Sequence, residues 1–319
     1  MSSSAAKATE NPTGSPTNGF DSTIDLSGIP IDTSSPVMVT GATGYLGSWV
    51  TKGLLDAGLT VHAAVRDPQA GAKVAHLHRM AEQAPGTLHL FAGDLLQPGS
   101  YDEAMKGSAV VIHTASPILH STNNPQQELI EPALEGTRNV LAGVERTPSV
   151  TRVVLTSSIV AMLGDAADLE GYPGRILTET CWNTTSSVDH QPYPYSKTLA
   201  EKEAWRLAAD QERWDLVTIN PAMIVGPALG STPTSESFNT VRMMIDGTAR
   251  LGAPLHAWES ASSTCVRWPR RISLPPSCPR PTAATSPPPR TPIYWRWPAP
   301  CCHASGGCSR CRGAPCLGR

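Results

Sequence analysis

The chain lacks any apolar run near the roughly 18 residues of a membrane span, and no apolar signal-peptide core follows Met1. Cys181 is the only cysteine before Cys265. A body with a single thiol argues against a disulfide scaffold and fits a reducing cytoplasm. No acidic residue stands beyond Glu259, and the last 55 residues hold no lysine. Charge is therefore segregated. All 27 acids and 16 of the 25 basic residues lie in the first 264 positions, and nine arginines lie after them. An acidic body excludes nucleic-acid binding as the main role. No membrane partner is expected either. The length of 319 residues allows one large or two small domains.

Composition divides the chain in three. Residues 1–34 are rich in Ser, Thr, Pro, Gly and Asn and almost free of large apolar side chains, which predicts a disordered leader. Residues 35–260 alternate apolar runs with amphipathic stretches. Strands are expected near Val37–Val39, Thr60–Val65, Leu88–Ala92, Ala109–His113, Arg152–Thr156 and Asp215–Ile219. Helices are expected over Leu46–Ala57, Ala72–Gln83, Gln126–Arg146 and Ser196–Gln211. Within the longest of these, Leu129, Ala133, Val140 and Val144 fall near one face. Alternating strands and helices, with continuously apolar strands, predict an α/β fold: a Rossmann-like, doubly wound parallel sheet covered on both faces. Residues 261–319 differ in kind. From Cys265 on there are 12 prolines, nine arginines and seven cysteines, with no visible period, so an unstructured tail is expected.

The loop Thr40-Gly41-Ala42-Thr43-Gly44-Tyr45-Leu46-Gly47 sits between the first strand and the first helix, with glycines at G-x-x-G-x-x-G spacing. Gly41 allows the tight turn, Gly44 lets backbone approach a pyrophosphate, and Gly47 lets helix and strand pack closely. The helix N-terminus adds N–H groups and a positive dipole end. Gly41, Thr43, Gly44, Tyr45, Leu46 and Gly47 are thus candidate dinucleotide contacts. The second strand ends in Val65-Arg66-Asp67-Pro68. An arginine there accommodates a 2′-phosphate, and Lys73 adds a second cation, which favours NADP over NAD. Asp67 is the one feature that speaks for NAD. Asp94 and Leu95, after the third strand, are candidates for the adenine side. Thr114, Ala115 and Ser116, after the fourth, are small residues that let backbone crowd the cofactor.

Tyr193 and Lys197 stand at i and i+4 where a helix begins. A lysine beside a phenol favours the phenolate, which predicts a lowered Tyr193 pKa and a general acid toward a carbonyl oxygen. Tyr195 has no lysine four residues later. Thr156-Ser157-Ser158 ends another strand, where a hydroxyl steadies charge developing on a substrate oxygen. His113 is expected to be a packed, hydrogen-bonded residue and Cys181 an ordinary thiol. Trp182 fits pocket or surface packing equally.

Together these motifs make the body resemble the extended short-chain dehydrogenase/reductases, within the NAD-dependent epimerase/dehydratase superfamily. The subgroup it looks most like contains dihydroflavonol reductase, cinnamoyl-CoA reductase and yeast-type aldehyde/ketone reductases. The resemblance rests on Thr40–Gly47, Val65–Pro68, Gly93–Leu95, His113–Pro117, Glu131–Thr137, Thr156–Ser158, Tyr193–Glu201 and Asn220-Pro221 through Val225-Gly226-Pro227. It implies Ser158, Tyr193 and Lys197 as the catalytic set, with Ser157 as fallback for the serine. It further implies that Lys197 holds the nicotinamide ribose, that Pro221 lines the nicotinamide, and that Arg66 and Lys73 clamp the 2′-phosphate. The implied reaction is NADPH-dependent reduction of a small-molecule carbonyl to an alcohol. An NAD-dependent sugar-nucleotide epimerase or dehydratase, or a cofactor-binding protein with little activity, are the alternatives. Oligomeric state is left open.

The resemblance stops where the small C-terminal substrate lobe is normally built, so that lobe is expected to be incomplete. Thr264–Ser273 reads TCVRWPRRIS. One permitted coding of it, shifted by one base, reads DVRAVAEAHL, close to a strand pattern of the family. That predicts a frameshift between about Leu255 and Ser263. Cys301, Cys302, His303, Cys308, Cys311 and Cys316 contain one C-x2-C pair but no standard paired ligand set, so no metal site is expected.

Overall fold

The computed structural model describes residues 32–117, 122–230, 236–246 and 262–264. Nearly all of the expected leader, the tail from Cys265 and its Cys/His cluster lie outside the described residues.

The chain runs β1 (Val37–Thr40), α1 (Tyr45–Asp56), β2 (Thr60–Val65), α2 (Gly71–Gln83), β3 (Thr87–Ala92), a short α3 (Asp102–Met105) and β4 (Val110–His113). It continues with α4 (Glu131–Arg146), β5 (Arg152–Thr156), α5 (Pro192–Ala209) and β6 (Asp215–Ile219). The six strands form one parallel sheet in the order β3-β2-β1-β4-β5-β6. Val37 of β1 lies opposite Val61 on one side and Val110 on the other. Side chains alternate across the sheet, so each apolar strand feeds two layers. Val37 and Val39 pack with Val50, Leu54 and Leu55 of α1 and Val74 and Leu77 of α2. Met38 points the other way, into the layer with Val140, Leu141 and Val144 of α4 and Ala204 of α5. Strand order reverses between β1 and β4, and in such sheets that point opens a crevice beyond the strands' carboxyl ends.

Two helices differ from expectation, each because of proline. A wider π-type turn, Gln126–Ile130, precedes α4. Pro132 has no N–H to bond the carbonyl four residues back, so the regular ladder starts after it. α5 begins at Pro192, four residues before the expected Ser196, because a proline in the first turn is already set to helical φ. Leu129, Ala133, Val140 and Val144 are all buried, as the expected apolar face requires. Beyond β6, β7 (Met223–Val225) pairs in parallel with β8 (Ser262–Thr264), and α6 (Glu236–Ile245) lies between them in sequence. None of these three short elements carries a period long enough to be read from sequence. Among the described residues no helix is long and apolar enough to cross a membrane.

Candidate active site

The cradle at the switch point is made of backbone. Gly41 has φ +68°, a conformation that favours glycine. A Cβ on Gly41 would come within 3.0 Å of the Ala115 backbone, so the β1–α1 and β4 loops touch there. A Cβ on Gly47 would run into the Gly41 carbonyl oxygen. The Gly44 N–H donates to that same oxygen at 2.9 Å. No side-chain cap covers the N-terminus of α1. The arrangement fits a dinucleotide: the glycines clear space for a pyrophosphate, and the helix end meets it with backbone dipoles. Thr43 is exposed beside this turn, and Leu46 is partly buried on the first turn of α1. The Tyr45 hydroxyl donates to the Gly226 carbonyl at 2.7 Å and Trp49 Nε1 to that of Pro227 at 2.9 Å, which brings the loop after β7 over α1.

The two loops are locked together by Thr40. Its Oγ1 accepts the N–H of Thr114 and of Ala115, both at 3.1 Å. With both acceptor positions used, its proton goes to His113 Nδ1, 2.8 Å away. His113 is therefore the Nε2–H tautomer. Burial, helped by the nearby Lys197 charge, pushes its pKa down to about 3, so the ring is neutral. His113 is thus the packed, hydrogen-bonded residue expected. Thr114 Oγ1 returns the bond, donating to the Thr40 carbonyl at 2.6 Å.

Across the crevice, Tyr193 sits in the first turn of α5, and Lys197 one turn later with its ammonium 5.9 Å from the centre of the Tyr193 ring. The expected lowering of the tyrosine pKa is corrected by this geometry. Burial alone pushes Tyr193 up to about 12, while the Lys197 Nζ donates to Ser116 Oγ at 2.9 Å. The lysine is anchored to the β4 loop instead of to the phenol. Burial brings Lys197 itself down to about 8, opposed by the charge of Glu201. Ser158 follows β5, and its Oγ accepts the Val160 N–H at 3.3 Å, which leaves its proton to donate. Ser157 turns inward instead and donates to Glu201 Oε2 at 2.5 Å, so it serves structure.

Glu201 is the residue that sequence reasoning passed over. It is fully buried on α5, one turn beyond Lys197. Besides Ser157, it accepts the Asn220 amide at 2.8 Å and Trp205 Nε1 at 3.3 Å. Asn220 also donates to the Ser158 carbonyl at 3.1 Å, and the Ile159 N–H donates to the Pro221 carbonyl at 2.8 Å. Pro221 is buried beneath this junction of β5 and β6. Spacing held the clue, since Tyr193, Lys197 and Glu201 recur every four residues on one helix face.

Beyond the cradle, Arg66 is exposed just after β2 and Lys73 in the first turn of α2. Asp67 Oδ1 accepts the Gln69 N–H at 2.8 Å, a local turn that accounts for this acid. Asp94 Oδ1 accepts the Leu96 N–H at 2.8 Å in the same way. Leu95 packs on α4, where a Cβ at Gly136 would lie 2.5 Å from its Cγ. Trp182 lies under the Lys202 ammonium, 5.2 Å from it, and Cys181 is buried with its Sγ 3.6 Å from Thr178 Oγ1.

A family model described as the NAD dependent epimerase/dehydratase family matches residues 37–262. The chain belongs to that family. A cinnamoyl-CoA reductase of Medicago truncatula is 45% identical over 196 residues, 60% of this chain and 59% of that protein. A tetraketide alpha-pyrone reductase of Arabidopsis thaliana is 43% identical over 196 residues, 60% of this chain and 58% of that protein. The solved structure of Gre2 from Candida albicans in complex with NADPH is 31% identical, with a TM-score of 0.53 over 61% of this chain and 59% of that one. The chain thus spans under two thirds of the length of the curated relatives it matches.

Proposed function

We propose that the protein is an NADP(H)-dependent reductase of a small-molecule carbonyl, with Ser158, Tyr193 and Lys197 as its catalytic set. The observation that carries this reading is the crevice itself. A glycine cradle faces a tyrosine and lysine on one helix turn, and Ser116 physically joins the two sides. When bound, NADPH would supply a hydride for the carbonyl carbon. The Tyr193 phenol donates its proton to the carbonyl oxygen, giving the alcohol, and solvent returns a proton to the phenolate. The high Tyr193 pKa keeps the phenol protonated in the resting protein. The Ser158 hydroxyl hydrogen-bonds the same oxygen as charge grows on it. The Lys197 ammonium steadies the phenolate after transfer and holds a ribose hydroxyl. Arg66 and Lys73 pair with the 2′-phosphate, and the engaged Asp67 supports NADP over NAD. The single thiol of the first 264 residues supports a cytoplasmic location. Fluorescence titration of the 319-residue protein tests the reading. NADPH is expected to bind more tightly than NADH, and Arg66→Ala to weaken NADPH about 10- to 100-fold with little effect on NADH. Equal affinities in the unaltered protein would overturn the assignment.

We also infer that the residues after about Ser263 are an out-of-frame reading of a longer family member. The family match ends at Ser262, and the composition changes abruptly there. Sequencing the gene and the cellular protein is expected to reveal one inserted or deleted base between the codons of Leu255 and Ser263. A continuous frame with a matching protein product overturns it.

A further inference from the structure

We propose that Glu201 is a positioning residue of this site: its buried carboxylate ties β5 and β6 to α5 and supplies the counter-charge that holds the Lys197 ammonium. The inference deepens the reductase reading and rests on it for the role of Lys197.

The geometry is unusual for a glutamate. Glu201 has no exposure at all, yet it sits in the helix that carries Tyr193 and Lys197. A buried carboxylate is costly unless it is compensated by donors. Three donors from three elements reach it: Ser157 after β5, Asn220 after β6, and Trp205 on α5 itself. All three donate, so both carboxylate oxygens are met by hydrogen-bond donors. Ser157 is the neighbour of Ser158, and Asn220 also grips the Ser158 carbonyl. The hydroxyl assigned to the substrate oxygen is thereby set at a fixed height against Tyr193.

The second half of the role is electrostatic. Glu201 and Lys197 line one small crevice of about 20 Å³, together with His113, Ser116, Thr137 and Ser157. Around the lysine, β4 contributes neutral His113 and the Ser116 hydroxyl, and α4 contributes Ala133 and Thr137, which do not titrate. From β5 comes Ser157, and from α5 itself Tyr193 and Glu201. Glu201 is the one anion in this set. Both side chains are buried, so a charge one helix turn away acts with little screening. Without it, burial alone would drive the lysine toward its neutral form and release its grip on Ser116 and on a ribose.

The test reads Lys197 directly. Protein carrying 13Cε-labelled lysine is titrated by NMR, with Lys197 assigned by loss of its signal in Lys197→Arg. In Glu201→Gln the Lys197 midpoint is expected to fall by about one pH unit or more. An unchanged midpoint in a folded variant overturns the proposal, whether or not any substrate is reduced. Where the unaltered protein does reduce a carbonyl with NADPH, the alkaline limb of kcat/KM is expected to move down with that midpoint. The variant then loses about fivefold at pH 8 and little at pH 6. A loss equal at both pH values would mark Glu201 as structural only. If the unaltered protein reduces nothing, the reductase reading fails, while the NMR midpoint still decides the pairing. Should Glu201→Gln not fold, Lys197→Met is compared with Lys197→Met/Glu201→Gln. The double variant is expected to melt at a higher temperature, because the carboxylate is no longer left without its cation. A double variant no more stable than the single one overturns the proposal.

Discussion

At the β1–α1 end of the crevice, contact is made between backbones: Gly41 against Ala115, and Gly44 and Gly47 against the Gly41 carbonyl. At the α5 end, contact is made between side chains far apart in the chain, such as Ser157 with Glu201 and Lys197 with Ser116. The first kind of site needs room and one backbone conformation, so it is written as glycines at fixed spacing. The second needs donors and acceptors delivered from several strands, so its members are scattered. The first tolerates no added atom, while the second depends on charge. Tests that strike one end and spare the other separate the two.

Tyr193→Phe should strike the α5 end alone. It removes the proposed acid and leaves the cradle, so kcat is expected to fall about 10²- to 10⁴-fold while NADPH titration is unchanged. Steady-state kinetics with a reducible carbonyl, run beside the fluorescence titration, checks it.

His113 joins the two ends, and its effect is read in acid. Its folded pKa is lowered from 6.5 to about 3, so between these values the unfolded chain binds the extra proton. Stability is fully present above pH 6.5 and is lost as pH falls toward 3, by about 1.4 kcal/mol per pH unit for this one group. Denaturant melts across that window are expected to show a shallower slope in His113→Asn.

Gly47→Ala should strike the cradle. Its new methyl meets fixed backbone at the Gly41 carbonyl, so a loss of about 1–3 kcal/mol is expected, together with loss of NADPH binding. If this variant bound NADPH normally, the contrast between a backbone-built end and a side-chain-built end would fail.

The legible parts follow the same division. β2, β5 and β6 fall where their apolar runs predict, because the middle residues of strands in a parallel sheet face packed layers on both sides. Tyr193 and Lys197 were legible because one helix turn brings them together. The direction of the Tyr193 pKa was not, since it depends on where the Lys197 amine goes, and the amine goes to a loop 81 positions earlier. Arg213 makes the same point. It donates to the carbonyls of Val144, Thr147 and Val150, closing the C-terminal end of α4 from a distant loop, and no local pattern announces it.

Period, backbone freedom or spacing within a few residues set the doubly wound sheet, the glycine cradle and the helix turn bearing the tyrosine and lysine. The tautomer of His113, the inward turn of Ser157 and the burial of Glu201 beneath Lys197 came instead from long-range packing. Those depend on which distant groups share a small desolvated volume, where every donor must find an acceptor and every charge a partner.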